Sequence, residues 1–393
     1  MKQLQFNTFI RFTLILLIPI ALLSCKNESN SSMAVMAYYV PSDNFKLEEI
    51  PFEKLTHIIF SFTEVIDNQM KFKHEEYAQK LKNLVAYKKQ YPDLKVMIAC
   101  GGWGGCAGFS DMANDPVLRK GFVQSTINFI NEYDLDGTDM DWEYPGMRGA
   151  GNTFREADTQ NFTALMKELR EALDATGKDM TLTFASAGWE RYYDHIETIE
   201  VMKYANFMNI MTYDLAGGSL PFTAHHTNLG IIELENLNGT PAIEVLEKSK
   251  RKITPRSAIS IVEFCKGIGV KPEQIIIGGA FYGRGWKGVA PENNGLYQLN
   301  KGVWKGWAQY GNIRDNYENK GGFIRYWDSI AQAPYLYNAT DSLFISYDDP
   351  ESVTLKTKYA KEAGLGGIMF WQLTDDAKKN GLLDAIHKEV IKN

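Results

Sequence analysis

Four carboxylates fall between residues 136 and 143 of this chain, Asp136, Asp139, Asp141 and Glu143, inside the run Asp-Leu-Asp-Gly-Thr-Asp-Met-Asp-Trp-Glu-Tyr-Pro-Gly over 134–146. In a strand, residues two apart point to one face, so Asp139, Asp141 and Glu143 would share one side and Met140 and Trp142 the other. Like charges held that close cannot all ionise cheaply. At least one pKa is pushed up, which keeps a carboxyl protonated as a general acid near neutrality. Acidic runs are more often solvated turns, but the interleaved apolar residues argue for a strand with one buried face. A calcium loop starting at Asp139 fails as well. It would put Tyr144 where the sharp-turn glycine belongs and Ala150 where the bidentate glutamate belongs.

A strand of this kind needs neighbours. Short apolar runs at 34–40, 57–62, 95–99, 137–142, 181–186, 207–213, 274–282 and 367–373 read as strands. Between them, 118–133 and 157–176 place apolar residues three and four apart, as in Phe122, Ile127 and Ile130, or Phe162, Leu165, Met166 and Leu169. Eight strands alternating with helices predict an α/β fold, a closed (β/α)8 TIM barrel. The rival, a doubly wound open sheet, lacks a Gly-x-Gly-x-x-Gly opening a helix after the first strand.

The spacing breaks once. About 80 residues separate the end of strand seven, near Trp286, from strand eight, too many for one ordinary connection. Residues 287–347 are rich in Gly, Tyr, Trp and Asn, with alternating runs at 323–327 and 343–347, and read as a small α+β insertion. The barrel domain is then 33–286 with 348–393, and 351–363 form the helix before the last strand.

At the other end, Lys2 and Arg11 precede a nearly all-apolar run over 12–23. Its dozen or so residues suit a secretory h-region and fall short of the roughly 20 that span a bilayer. Residues 1–24 read as a signal peptide. Leu22-Leu23-Ser24-Cys25 resembles the bacterial lipobox, so Cys25 is the expected lipidated mature start and 25–32 a polar tether. Lys26 stands where an Asp would signal inner-membrane retention. The expectation is an exported, lipid-anchored protein of the outer membrane, open to a cell-surface position.

A net charge of −6 without basic clusters gives no support to a nucleic-acid partner. Besides Cys25 there are only Cys100, Cys106 and Cys265, neither a disulfide framework nor a zinc spacing. His225-His226 lacks the i, i+4 spacing of a helical metal pair, and both read as loop residues. No metal and no organic cofactor is expected, and the chain is expected to act as a monomer.

In such a barrel, active residues come from the C-terminal ends of the strands. Here those ends carry Tyr38, Phe62, Gly101-Gly102-Trp103, the acidic run, Met211-Thr212-Tyr213-Asp214, Tyr282-Gly283-Arg284 and Trp371. Taken singly, Tyr38, Phe62 and Trp103 would pass as barrel core, and Trp371 fits either core or a binding surface. Tyr213 and Asp214 would face opposite sides of a continuing strand, so at least one sits on a loop.

Taken jointly, the pattern Asp-x-x-Asp-x-Asp-x-Glu followed by Tyr144-Pro145, with these strand-end residues, resembles the family 18 glycoside hydrolases, the chitinases and their relatives, over nearly the whole mature chain. One departure is visible. The family's usual Ser-x-Gly-Gly is Ala99-Cys100-Gly101-Gly102 here, which should alter packing or hydrogen bonding near the acids and leave the acids themselves untouched.

The resemblance implies a retaining hydrolase in which the substrate's acetamido oxygen attacks in place of a protein nucleophile. It implies that Glu143 protonates the leaving oxygen, Asp141 bonds the acetamido N–H and Asp139 tunes Asp141. Tyr213 would bond the acetamido carbonyl, and Asp214 and Arg284 would hold sugar hydroxyls. Tyr38, Phe62, Gly102, Trp103, Met211, Tyr282 and Trp371 would complete the substrate site, and the insertion would wall one side of the cleft. The implied substrate is chitin or chito-oligosaccharide with β-1,4-linked N-acetylglucosamine. Alternatives are an endo-β-N-acetylglucosaminidase on N-glycans, whose kind generally lacks the insertion and the Trp-Glu-Tyr-Pro form, and a chitin-binding lectin, whose kind loses the terminal Glu.

Overall fold

The computed structural model describes residues 1, 33–249, 255–306 and 308–392. Cys25 and residues 2–32 around it, where the signal peptide and tether are expected, lie outside the described residues. The chain divides into Met1–Ser32 and one compact unit, Met33–Asn393, and the account below concerns that second unit. Among the described residues no helix is long and apolar enough to cross a membrane.

Eight parallel strands close on themselves. They are β1 (Ala34–Tyr39), β2 (His57–Ile66), β3 (Lys95–Gly101), β4 (Gly137–Asp141), β5 (Thr181–Ala187), β6 (Phe207–Met211), β7 (Ile275–Ala280) and β8 (Gly367–Trp371). Each pairs with its sequence neighbour, and β1 pairs with both β2 and β8, so no barrel edge is left open. Alternation along β1 shows how the layers form. Met36 and Tyr38 point into the barrel with Ile59, Met97, Ile276 and Met369, whereas Val35, Ala37 and Tyr39 join the cluster between strands and helices.

The helices start where the local chemistry stops the chain from extending. Asp115 caps Pro116–Tyr133 by accepting from the Val117 and Leu118 N–H groups, with proline in the first turn, and Phe122 and Ile130 on its inner face are fully buried. Asp349 and Ser352 form a reciprocal cap on Pro350–Glu362, the helix that leads into β8.

Among the strands whose boundaries differ from those expected above, two bear on the site. The strand expected at 57–62 runs on to Ile66 and turns back through Asp67 and Asn68, both at positive φ, to pair with Gln69–Lys71. Its register shifts between Phe60 and Thr63, a bulge that re-aims Phe62. The strand expected to reach Tyr213 ends at Met211, so Tyr213 and Asp214 both lie on the following loop, with Asp214 at φ 55°.

A second, antiparallel sheet is built from Arg284–Lys287, Val303–Trp304, Ile324–Asp328, Ala333–Asn338 and Leu343–Ser346, with the helix Tyr310–Asn316. It begins at Arg284, ahead of 287, because Arg284 and Gly285 already pair with Ser346 and Ile345. It has its own core, in which Trp286, Tyr335, Tyr337 and Phe344 pack with Phe222 and Leu237 from the loop after β6.

Candidate active site

β4 delivers the acids as its alternation dictates. Met140 and Trp142 go outward, where the buried Trp142 indole stacks on Phe109 at 5.1 Å and meets the edge of Phe162. Asp139 and Asp141 go inward. Asp136 does not join them: it accepts the Val96 N–H at 2.7 Å and a Lys88 ammonium at 2.8 Å at the opposite end of the strands, a stabilising contact remote from the mouth.

Asp139 is fully buried. It accepts bonds from the Tyr38 hydroxyl at 3.0 Å, the Asn209 amide at 3.2 Å and the Thr183 hydroxyl. Burial pushes its carboxyl up to about 6, and those three bonds pull the other way. Asp141 has no such support. Its Oδ1 is buried with no partner among the described residues, and burial, then Glu143, then Asp139 push its pKa well up. Glu143, 8% exposed, is pushed up to about 7, mainly by burial, with Asp214 adding to the shift and a bond to Tyr144 opposing it. Burial raises all three carboxyls, and Glu143, the one nearest solvent, is poised to hold its proton near neutrality.

The loop after β3 can come this close only because it is glycine. A Cβ on Gly101, at φ 116°, would meet the Asp141 carbonyl oxygen at 2.1 Å, and one on Gly102, at φ 78°, would meet the Phe62 ring at 2.7 Å. The Gly102 N–H donates to the same Asp141 carbonyl at 2.8 Å. Trp103, next in sequence, is 58% exposed at the rim, edge-on to Tyr144 at 6.4 Å, so it is not barrel core.

Trp371 stacks on Phe62 at 5.5 Å with 18° between the planes, and Tyr38 lies 5.8 Å from the same indole. Tyr213 is buried nearby, and among the described residues its hydroxyl meets the Met369 sulfur at 3.8 Å. Met211 packs against the same interior cluster, and Tyr282 lies edge-on to Tyr213 at 6.0 Å. Asp214 takes both arms of Arg284, Nε at 2.6 Å and Nη2 at 2.7 Å, in the planar geometry that suits this pair. Against the effect of burial, bonds from His226 and Arg284 hold Asp214 below the usual carboxylate range.

The two histidines are on a loop, as expected, but buried. His225 Nε2 lies 3.1 Å from Asp328, tying that loop to the second sheet. His226 Nε2 lies 3.2 Å from the Tyr282 carbonyl, and its Nδ1 lies 3.4 Å from the Asp214 backbone nitrogen and 3.7 Å from its Oδ1, so the ring sets the Asp214 turn. Among the described residues no group of three or more His, Cys, Asp or Glu is arranged to hold a metal. Cys100, Cys106 and Cys265 are free and buried.

This arrangement, a buried carboxylate with a free acceptor, a protonated acid beside it and an aromatic floor, sits at residues matched by the family model of the glycosyl hydrolases family 18, which spans 34–376. The chain belongs to that family. This family 18 hydrolase is 37% identical over 316 residues to Chitinase A1 of Niallia circulans, covering 77% of this chain and 43% of that protein. It is 29% identical over 391 residues to an Endochitinase of Manduca sexta, covering 90% and 66% respectively. The chain thus spans less than two thirds of the length of either relative. Among solved structures, a family 18 N-acetylglucosaminidase from Paenibacillus barengoltzii superposes with a TM-score of 0.79 at 36% identity, covering 91% of this chain and 99% of that one.

Sequence reasoning missed Thr183, Asn209, Cys106, Asn152 and His226 around the acids of this hydrolase. Thr183 had a signal: it is a polar position two residues into β5, level with Asp139. The others are joined to the site only by tertiary folding.

Proposed function

We propose that this hydrolase cleaves β-1,4 linkages between N-acetylglucosamine units of chitin or chito-oligosaccharides, with retention of configuration and with the substrate's acetamido oxygen as the nucleophile. The observation that carries the reading is the unpartnered, buried Asp141 Oδ1 beside a Glu143 carboxyl pushed up to about 7. A buried acceptor left unpaired costs about 1–3 kcal/mol, and an acetamido N–H is a donor that would remove that cost.

With the sugar over the Trp371 indole, the Asp141 bond orients the acetamido group and the Tyr213 hydroxyl donates to its carbonyl. The carbonyl oxygen attacks the anomeric carbon as Glu143 gives its proton to the departing glycosidic oxygen. The cyclic oxazolinium ion that results carries positive charge next to Asp141. Glu143, now a carboxylate, takes a proton from water as that water opens the ring. Asp214, Arg284 and the exposed Trp103 would contact hydroxyls and ring faces of flanking sugars.

A second reading concerns the product. One solved relative of matching length is described as an N-acetylglucosaminidase and two others as chitinases, so release of single sugars from a chain end stands beside internal cuts as a second outcome to test. A time course on the N-acetylglucosamine hexamer, run beside a high-mannose glycoprotein, tests all of this. Monomer from the earliest time points supports chain-end release, and mixed short oligomers support internal cleavage. An untouched hexamer, or cleavage of the glycoprotein alone, refutes the chitin reading, and binding without cleavage would make the protein a lectin.

For placement, the reading is a monomer held at the outer membrane by a lipid on Cys25, supported by the lipobox-like run and the polar tether. Cys25→Ala should move the protein out of the membrane fraction. An unchanged fraction, or a mature N-terminus downstream of Cys25, refutes the anchor.

A further inference from the structure

β4 ends at Asp141, so the Glu143 peptide lies beyond the ladder that orders the other acids. Two side chains hold it instead. Cys106 Sγ accepts the Glu143 N–H at 3.1 Å, and Asn152 Nδ2 donates to the Glu143 carbonyl at 2.9 Å. The thiol also lies 3.1 Å from the Asp141 carbonyl oxygen and 3.2 Å from that of Gly102, so its single proton is shared between those two acceptors. Cys106 is fully buried and Asn152 is 9% exposed. Burial, followed by the charge of Asp141, pushes the thiol pKa well up, so the group keeps the proton that it donates. The loop that carries Asn152 also passes close: a Cβ on Gly149 would meet the Glu143 carbonyl oxygen at 2.0 Å.

We propose that Cys106 and Asn152 are positioning residues for the general acid, gripping the Glu143 peptide from opposite sides so that its carboxyl is held in register with Asp141. Neither touches substrate. The thiol bonds both the Asp141 carbonyl and the Glu143 N–H, and so ties together the backbones that carry the two reacting carboxyls.

The inference rests on the reading of Glu143 as the acid, and its test separates the two. Cys106→Ala, Cys106→Ser and Asn152→Ala are compared with the wild-type chain on a chito-oligosaccharide. Cys106→Ala and Asn152→Ala should each lower kcat on the order of ten- to a hundredfold with KM unchanged, the cost of a reacting group displaced by up to about 1 Å. The alkaline limb of kcat should move to lower pH as water reaches the loosened carboxyl. Cys106→Ser, whose hydroxyl can make both bonds, should restore kcat and the limb. Wild-type kcat and limb in both alanine variants overturn the proposal, as does a loss that merely tracks the folded fraction. Should Cys106→Ala not fold, an unchanged Asn152→Ala or a hundredfold loss in Cys106→Ser overturns it. If the wild-type chain cleaves no N-acetylglucosamine polymer, the functional reading fails on its own. The grip is then judged by carbon-13 titration of Glu143, assigned with Glu143→Gln. An acidward shift in Cys106→Ala supports it and an unmoved titration overturns it.

Discussion

Thr183 stands level with Asp139 across the ladder between β4 and β5, and its hydroxyl donates to the Asp139 Oδ1. On the other flank Ala99 is also level with Asp139 but has no hydroxyl to give. The support is therefore one-sided within the sheet, and the remaining bonds come across the barrel from Tyr38 and Asn209. This bears on charge, because the Thr183 bond is one of three that hold the Asp139 pKa down against burial, and Asp139 in turn acts on Asp141. Asp141 offers an unbonded Oδ1 instead.

Thr183→Val removes that bond while keeping the shape of the side chain. Hydrogen bonds to charged groups are worth about 1.5–3 kcal/mol, so Asp139 should hold its proton to a pH at least about one unit higher. The acid limb of kcat/KM should move up by that amount, with the alkaline limb in place. A profile identical to wild type would show that Asp139 does not tune the site.

Glu143→Gln should lower hydrolysis about 10²–10⁴-fold while retaining oligosaccharide binding, because the amide keeps the shape but has no acidic proton. It should also stabilise the fold in alkali. The Glu143 pKa is pushed from 4.5 to about 7, so the buried carboxyl is favourable below pH 4.5 and becomes unfavourable as pH rises through 7. The variant should melt higher than wild type at pH 8, by an amount on the order of 3 kcal/mol at most, and match it at pH 4. Equal melting at pH 8 would place the raised pKa elsewhere.

The acids were legible because a strand's period of two separates Asp139 and Asp141 from Met140 and Trp142, and the apolar partners betray which face is buried. The closed barrel was legible from eight runs with amphipathic stretches between them. What the sequence concealed is contact between distant segments. Cys106 lies 37 residues from Glu143 and Asn209 lies 70 from Asp139, and nothing in the composition around either one marks it. His226 looked like an ordinary loop residue because only the closing of β6 and β7 brings the Tyr282 carbonyl to its ring. The extension of β2 had a local sign, the two-residue Asp67-Asn68 turn, but the run was cut at Phe62, where the bulge breaks its alternation.

Trp371→Ala removes the face on which Phe62 stacks and on which the sugar would rest. Trp371 is only half-buried, so the domain should fold. The indole's apolar contact is worth roughly 1.5–3 kcal/mol, which lowers kcat/KM about ten- to a hundredfold, shared between binding and turnover. Circular dichroism and a melting curve come first. An unfolded variant would mean that Trp371 serves the core.

The claim with most at stake is that the substrate supplies its own nucleophile. If the acetamido oxygen attacks from beneath the ring, the new reducing end must first appear in the β configuration, and proton NMR taken before mutarotation would detect it. A stable thiazoline analogue of the oxazoline should inhibit, since once protonated on nitrogen it offers Asp141 the same N–H direction and charge. The 2-acetamido group becomes indispensable at the cleaved sugar. Cellulose and fully deacetylated chitosan keep the β-1,4 linkage but lack that group, so both should be inert. Asp141→Asn should lose much of its rate although Glu143 remains, because a neutral amide cannot balance the oxazolinium charge. With Asp139 fully buried under three hydrogen bonds and Asp214 clamped by Arg284, neither is free to replace the acetamido oxygen as nucleophile. Inverted product, or cleavage of a cello-oligosaccharide at a comparable rate, would therefore leave Asp141 itself as the group to test for a covalent glycosyl intermediate.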